Sequence, residues 1–174
     1  SAIADRKPVE LLHQGSGWGA LERIRRERAN QPAFAGAAAP FPDSSLGEEQ
    51  MPWLALLERG ELPYRPASHD PGSLMVQPEW RDLLERAVAN QRGANWLAWY
   101  HLGVMRFRAG DVAGAKEAYE RSLGAEKNAW AYRDLALLAR EAGDEQQSAD
   151  LWLTAARIAP DLAPLEIEAA RGLL

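Results

Sequence analysis

Apolar residues recur along this chain at helical spacing, and nowhere do they alternate with polar ones over the length of a strand. From Trp18 to about Ala29 the spacing predicts a helix with Trp18, Leu21 and either Ile24 or the Arg25 stem on one face. Gln31 to Pro42 holds three prolines, which preclude a continuous helix because each lacks an N–H and clashes with the preceding turn. Met51 to Leu57 predicts a short apolar helix stopped by Gly60. Four prolines and one glycine between Leu62 and Pro78 predict a long surface loop. Glu79 to Asn90 predicts an amphipathic helix, with Trp80, Leu83, Leu84, Ala87 and Val88 at i, i+3, i+4, i+7 and i+8.

The region from Trp99 to Pro160 contains an internal repeat. Trp99, Leu102, Gly103, Gly110, Ala115, Tyr119 and Ser122 recur thirty-three positions later as Tyr132, Leu135, Ala136, Gly143, Ser148, Trp152 and Ala155. Pro160 closes the second unit, where the first has Lys127. Two helices packed at about 8–10 Å need small residues at closest approach. Gly103, Ala136 and Ala170 supply them on first helices, and Ala115, Ser122, Ser148 and Ala155 on second helices. Gly110-Asp111 and Gly143-Asp144 predict the turns, glycine taking a positive φ and aspartate capping the next helix.

This is the W-x2-L-G…A-x3-F…P spacing of tetratricopeptide repeats, and over residues 96–160 the chain resembles that family. The resemblance implies an all-α fold, a right-handed superhelical array of antiparallel helix hairpins (an α-solenoid) with about eight helices. Upstream, W-x2-L pairs at Trp18/Leu21 and Trp53/Leu56 echo Trp99/Leu102, so residues 49–91 read as a degenerate repeat whose turn has swollen into an insertion, and 18–48 as a more eroded one. The expected organisation is a connector over 1–17, degenerate repeats over 18–94 with a Pro-rich insertion at 60–78, two full units over 95–161, and a closing helix over 162–174. Insertions of this length are usually either functional or disordered, which makes this one a place to look for something specific. The Gly-Ser-Gly-Trp-Gly run at 15–19 also resembles the start of the C-terminal tetratricopeptide region of large multidomain bacterial proteins, where such arrays follow sugar-related domains.

Composition narrows the function. The formal charge of −5 over 174 residues gives no reason to expect a nucleic-acid partner. Seventeen Arg against three Lys favour planar, bidentate contacts with carboxylates. The absence of cysteine excludes disulfides, thiolate metal sites and cysteine nucleophiles. No apolar run approaches the length of a membrane span and no signal peptide is visible, so the expected location is the cytoplasm. The chain starts Ser-Ala-Ile-Ala-Asp without Met, which reads as a piece of a longer protein.

In tetratricopeptide proteins the ligand usually lies along a concave face lined by the first helices. The resemblance places Leu97, Tyr100, His101, Val104, Phe107 and Arg108 there from one helix, and Trp130, Arg133, Asp134, Leu137, Arg140 and Glu141 from the next. The closing helix adds Ile167, Glu168 and Arg171. The expected ligand residues are Tyr100, His101, Arg108, Trp130, Arg133, Asp134, Arg140 and Arg171, since aromatic and Arg side chains suit peptides and carboxylates. The Lys and Asn clamp of chaperone-tail adaptors is missing, because its positions hold Tyr100, Val104 and Asp134. Trp18, Trp53, Trp80, Trp99 and Trp152 read as core wedges, while Trp96 and Trp130, at the start of first helices, can face core or groove.

Candidate chemistry is sparse. His13, His69 and His101 are far apart, and none has a second ligand at metal spacing. His69-Asp70 has no identifiable nucleophile beside it. The glycines at 15–19 match neither G-x-G-x-x-G nor a P-loop. The run Glu22 to Arg28 mixes both charges, as a solvated helix face does. The expectation is a non-catalytic module without metal or cofactor that binds a protein or peptide, including another domain of its own polypeptide. The alternatives are a helical accessory domain of a carbohydrate-active enzyme, in which Trp96, Trp130 or the 60–78 loop completes a sugar site, and a self-association module.

Overall fold

The computed structural model describes residues 17–32, 41–90 and 93–160, and among them the chain forms seven α-helices, one short 3-10 turn and no strand. The predicted connector up to Ser16, the closing helix over 162–174 and with it Ala170 and Arg171 lie outside the described residues. None of the described helices is long and apolar enough to cross a membrane. The chain divides into two units, Ser1–Arg59 and Gly60–Leu174. That boundary cuts the stretch 49–91, which the sequence assigns to one degenerate repeat. It falls where Gly60 ends a helix at φ 72°, a left-handed conformation that glycine adopts at little cost.

The first unit holds α1 (Gly17–Arg28) and α2 (Met51–Arg59). On α1 the buried positions are Gly17, Ala20, Leu21 and Arg25. Trp18 flanks this stripe and is half-buried, so it is not the core wedge expected of it. Trp53 and Leu56 of α2 are fully buried. An ion pair from Arg28 to Glu58 at 2.9 Å joins the two helices. Between them a 3-10 turn at Asp43–Ser45 is tied to α1 by Arg23, which bonds Asp43 and, at 3.1 Å, the Phe41 carbonyl.

The second unit runs through α3 (Pro78–Ala89), α4 (Trp96–Arg108), α5 (Val112–Ala125), α6 (Ala129–Glu141) and α7 (Glu145–Ile158). The loop from Leu62 to Gln77 stays irregular, as its prolines require. Helices α4 and α5 fold back on each other across three residues, as do α6 and α7. Each turn has glycine at positive φ, 84° at Gly110 and 80° at Gly143. Asp111 then caps α5 by accepting from Gly114 N, and Asp144 caps α7 by accepting from Gln147 N. Asn95 and Asn128, again thirty-three apart, cap α4 and α6 in the same way.

The small residues do what close helix approach demands. The Ser122 hydroxyl donates to the Trp96 carbonyl at 2.7 Å, and that of Ser148 to the Ala136 carbonyl at 2.9 Å. Each bond crosses from a second helix to its first. Ala115, Ala136 and Ala155 are fully buried. Helix α4, between α3 and α5, buries nine of its thirteen residues, which makes it the centre of the unit. Helix α6 packs on α5 and continues the stack to α7.

Candidate functional site

The predicted ligand face is occupied by the chain itself. Residues 62–77 form a strap held by hydrogen bonds from the starts of α4 and α6. Asn95 Nδ2 donates to the Leu62 carbonyl at 2.9 Å, and Trp96 Nε1 to the Arg65 carbonyl at 2.6 Å. Trp130 Nε1 donates to the His69 carbonyl at 3.1 Å. His101 Nε2 lies 3.0 Å from the Pro71 carbonyl; a carbonyl only accepts, so this nitrogen carries the ring proton. Glu126, which caps α5, accepts from Ala67 N at 3.4 Å and from the Tyr64 hydroxyl.

The strap also has internal order. His69 N donates to the Pro66 carbonyl at 3.0 Å, closing a turn, and Arg65 reaches the Asp70 carbonyl at 2.7 Å. The Asp70 carboxylate accepts from Gly72 N at 2.6 Å, an Asx arrangement that commits it to the backbone instead of to His69. Leu62, Pro71 and Met75 point inward and are buried, while Tyr64, Leu74 and Val76 are exposed.

Beneath the strap lies a buried polar cluster. The Asp134 carboxylate accepts from the hydroxyls of Tyr100 and Tyr119 and from Arg133 Nη1 at 2.7 Å. Burial raises the Asp134 carboxyl above its ordinary range, with the Arg133 charge and the three donors pulling the other way. Burial first, and then the Asp134 charge, push both tyrosines upward, so they remain neutral donors. The Tyr100 ring meets His101 edge-on at 5.7 Å and Tyr119 at 6.0 Å. Burial drives His101 down to about 4, leaving it uncharged near neutral pH.

The eight expected ligand residues therefore fall into different settings. Tyr100, His101, Arg133 and Asp134 come together, with Tyr119 added from α5. Tyr100 is 4% exposed and His101 2%. Both are thus buried, and His101 meets the strap at the Pro71 carbonyl. Trp130 is half-buried and donates to the strap at the His69 carbonyl. Arg108 and Arg140 stand exposed in the last turns of α4 and α6. Arg171 lies outside the described residues.

Two tryptophans of α4 differ in setting. Trp96 is fully buried, and its indole N–H still reaches the strap. Trp99, read as a core wedge, is half-buried in a cleft of about 720 Å³ lined by α3, α4 and α5. The Arg121 guanidinium stacks 4.9 Å from its ring centroid. The other cleft charges are paired, Arg106 with Glu85 at 3.4 Å and Arg121 with Glu117 at 2.9 Å. The asparagine cap at Asn95 was the available signal for where α4 starts, with Trp96 as its first residue.

Among the described residues no group of three or more His, Asp or Glu side chains is placed to hold a metal ion. No protein-family model matches the chain, and no curated protein matches it.

Proposed function

We propose that the second unit is a tetratricopeptide-like interaction module, a superhelical array of helix hairpins that docks a protein segment against its first helices and performs no chemistry. The observation that carries this reading is the strap. His101 and Trp130 of the predicted ligand face, together with Trp96, hold an irregular, proline-interrupted polypeptide by its main-chain carbonyls. Backbone capture of this kind supplies affinity in peptide recognition, and flanking side chains add selectivity. Arg108 and Arg140, exposed at the ends of α4 and α6, are suited to carboxylates on the partner.

The test is affinity capture from a cell extract, comparing the unmodified chain with an Arg108→Glu/Arg140→Glu variant and reading bound proteins by mass spectrometry. Both positions are exposed, and circular dichroism of the variant checks that its helices are kept. A partner held by the unmodified chain and lost from the variant supports the reading. Identical captures from the two proteins would remove the ligand face from the proposal.

A further inference from the structure

A segment approaching the first helices meets residues 62–77 before it meets Trp96, His101 or Trp130. We infer that this strap is a resident ligand in cis, and that the face accepts a second segment of the same chemistry only when the strap lifts. That chemistry is a proline-interrupted chain presenting carbonyl oxygens to two indole N–H groups and one imidazole N–H. The inference rests on the reading of this face as a docking surface.

Three features of the strap carry it. The bonds from the two indoles and the imidazole go to the carbonyls of Arg65, His69 and Pro71. The groups these three donors grip are thus main chain, which another polypeptide can reproduce, and the buried Leu62, Pro71 and Met75 add apolar contact. Glycines at positive φ stand at Gly60 (72°), just before the strap, and at Gly72 (85°), within it, and such positions turn the chain at little steric cost. The outer side carries apolar surface toward its two ends, with Tyr64 61%, Leu74 49% and Val76 45% exposed on either side of exposed Ser68, His69 and Asp70, which gives an incoming partner contact before the strap is released.

Tethering places the strap at an effective concentration on the order of millimolar, so it excludes a free peptide of equal intrinsic affinity. The experiment replaces residues 65–71 in the full chain with a Gly–Ser run of equal length, keeping Leu62 and Met75. The probe is a fluorescein-labelled synthetic peptide of residues 62–75, read by anisotropy. The expected result is binding at least about ten-fold tighter to the replaced chain than to the unmodified one. No binding to a replaced chain of unchanged helicity, or equal binding to both proteins, overturns the inference.

A second variant keeps the test decisive if the replaced chain loses helicity. Trp130→Phe keeps an aromatic ring and removes the donor to His69. Chymotryptic cleavage after Tyr64 and Leu74 is expected to quicken about five-fold, the effect of one lost hydrogen bond on strap release. An unchanged cleavage rate overturns the inference. Exclusion of the peptide by the strap, together with capture unaffected by Arg108→Glu/Arg140→Glu, would sustain the strap and sink the docking reading. The reverse pair of results would do the opposite.

Discussion

A Cβ added at Gly103 would lie 3.0 Å from Cζ of the Tyr119 ring and closer still to Cδ1 and Cε1. In an exposed helix, Gly→Ala is stabilising by up to about 1 kcal/mol. Here the obstacle is a buried aromatic ring whose hydroxyl is held by Asp134, so overlap decides the sign. Gly103→Ala is expected to destabilise the second unit by about 1–3 kcal/mol, measured by chemical denaturation. A stabilised variant would mean that the ring moves freely.

His101 makes stability depend on acid. Its ordinary value is 6.5, and burial, helped by the Arg65 charge and opposed by the Pro71 carbonyl and Asp70, lowers it to about 4. The unfolded chain therefore takes the proton first as pH falls. The stabilisation is complete above pH 6.5 and is lost between 6.5 and 4, by about 3 kcal/mol. Asp134, raised from 3.8, acts with the opposite sign: its contribution is present at low pH and lost as pH rises through its folded value. Comparison with His101→Gln, which keeps a donor for Pro71, isolates the histidine. Thermal unfolding of the variant is expected to show the shallower acid slope, and parallel slopes would refute the assignment.

Asp134 serves three donors, so its removal is costlier than the loss of one bond. Asp134→Ala leaves the Tyr100 and Tyr119 hydroxyls and Arg133 without this acceptor. The expected loss is about 2–4 kcal/mol in urea denaturation, whereas Tyr119→Phe should cost about 1 kcal/mol. Equal effects of the two substitutions would show that the carboxylate does not organise the cluster.

The helix caps are chemically alike and differ in setting. Asn128 is fully buried, and besides capping α6 it donates to Ser122 Oγ at 3.1 Å and to the Glu126 carbonyl at 3.0 Å. Asp144 is exposed and caps only α7. Asp144→Ala should cost about 1 kcal/mol and Asn128→Ala at least twice that, compared by denaturation midpoints. The reverse order would contradict the role of Asn128 in joining α5 to α6.

Much of the helical framework was legible because its signals are local. Gly60, Gly110 and Gly143 mark ends that the backbone shows at positive φ, and Asp111 and Asp144 cap as their positions predict. Of the spaced set Trp80, Leu83, Leu84, Ala87 and Val88, all but Leu83 are buried on α3, and Leu83 is half-buried. The burial of Tyr100 and His101 was not legible, because it depends on a segment thirty residues earlier in the chain. Helical periodicity carries no information about where an irregular segment lies. The same holds for Trp18 and Trp99, where hydrophobicity argues for the interior but the neighbouring helix decides which of two adjacent faces is covered.

The strap also orders the folding reaction. The hairpins of α4 with α5 and α6 with α7 close through three-residue turns, contacts that the chain finds quickly. The bonds of Trp96 to Arg65 and Trp130 to His69 span 31 and 61 residues, and each needs its helix already capped to aim the indole. Loop closure over such separations follows local helix formation. The strap is therefore expected to join an assembled scaffold late, with the Trp96 and Trp130 indole protons becoming protected after the backbone of α4 to α7 in pulsed hydrogen exchange.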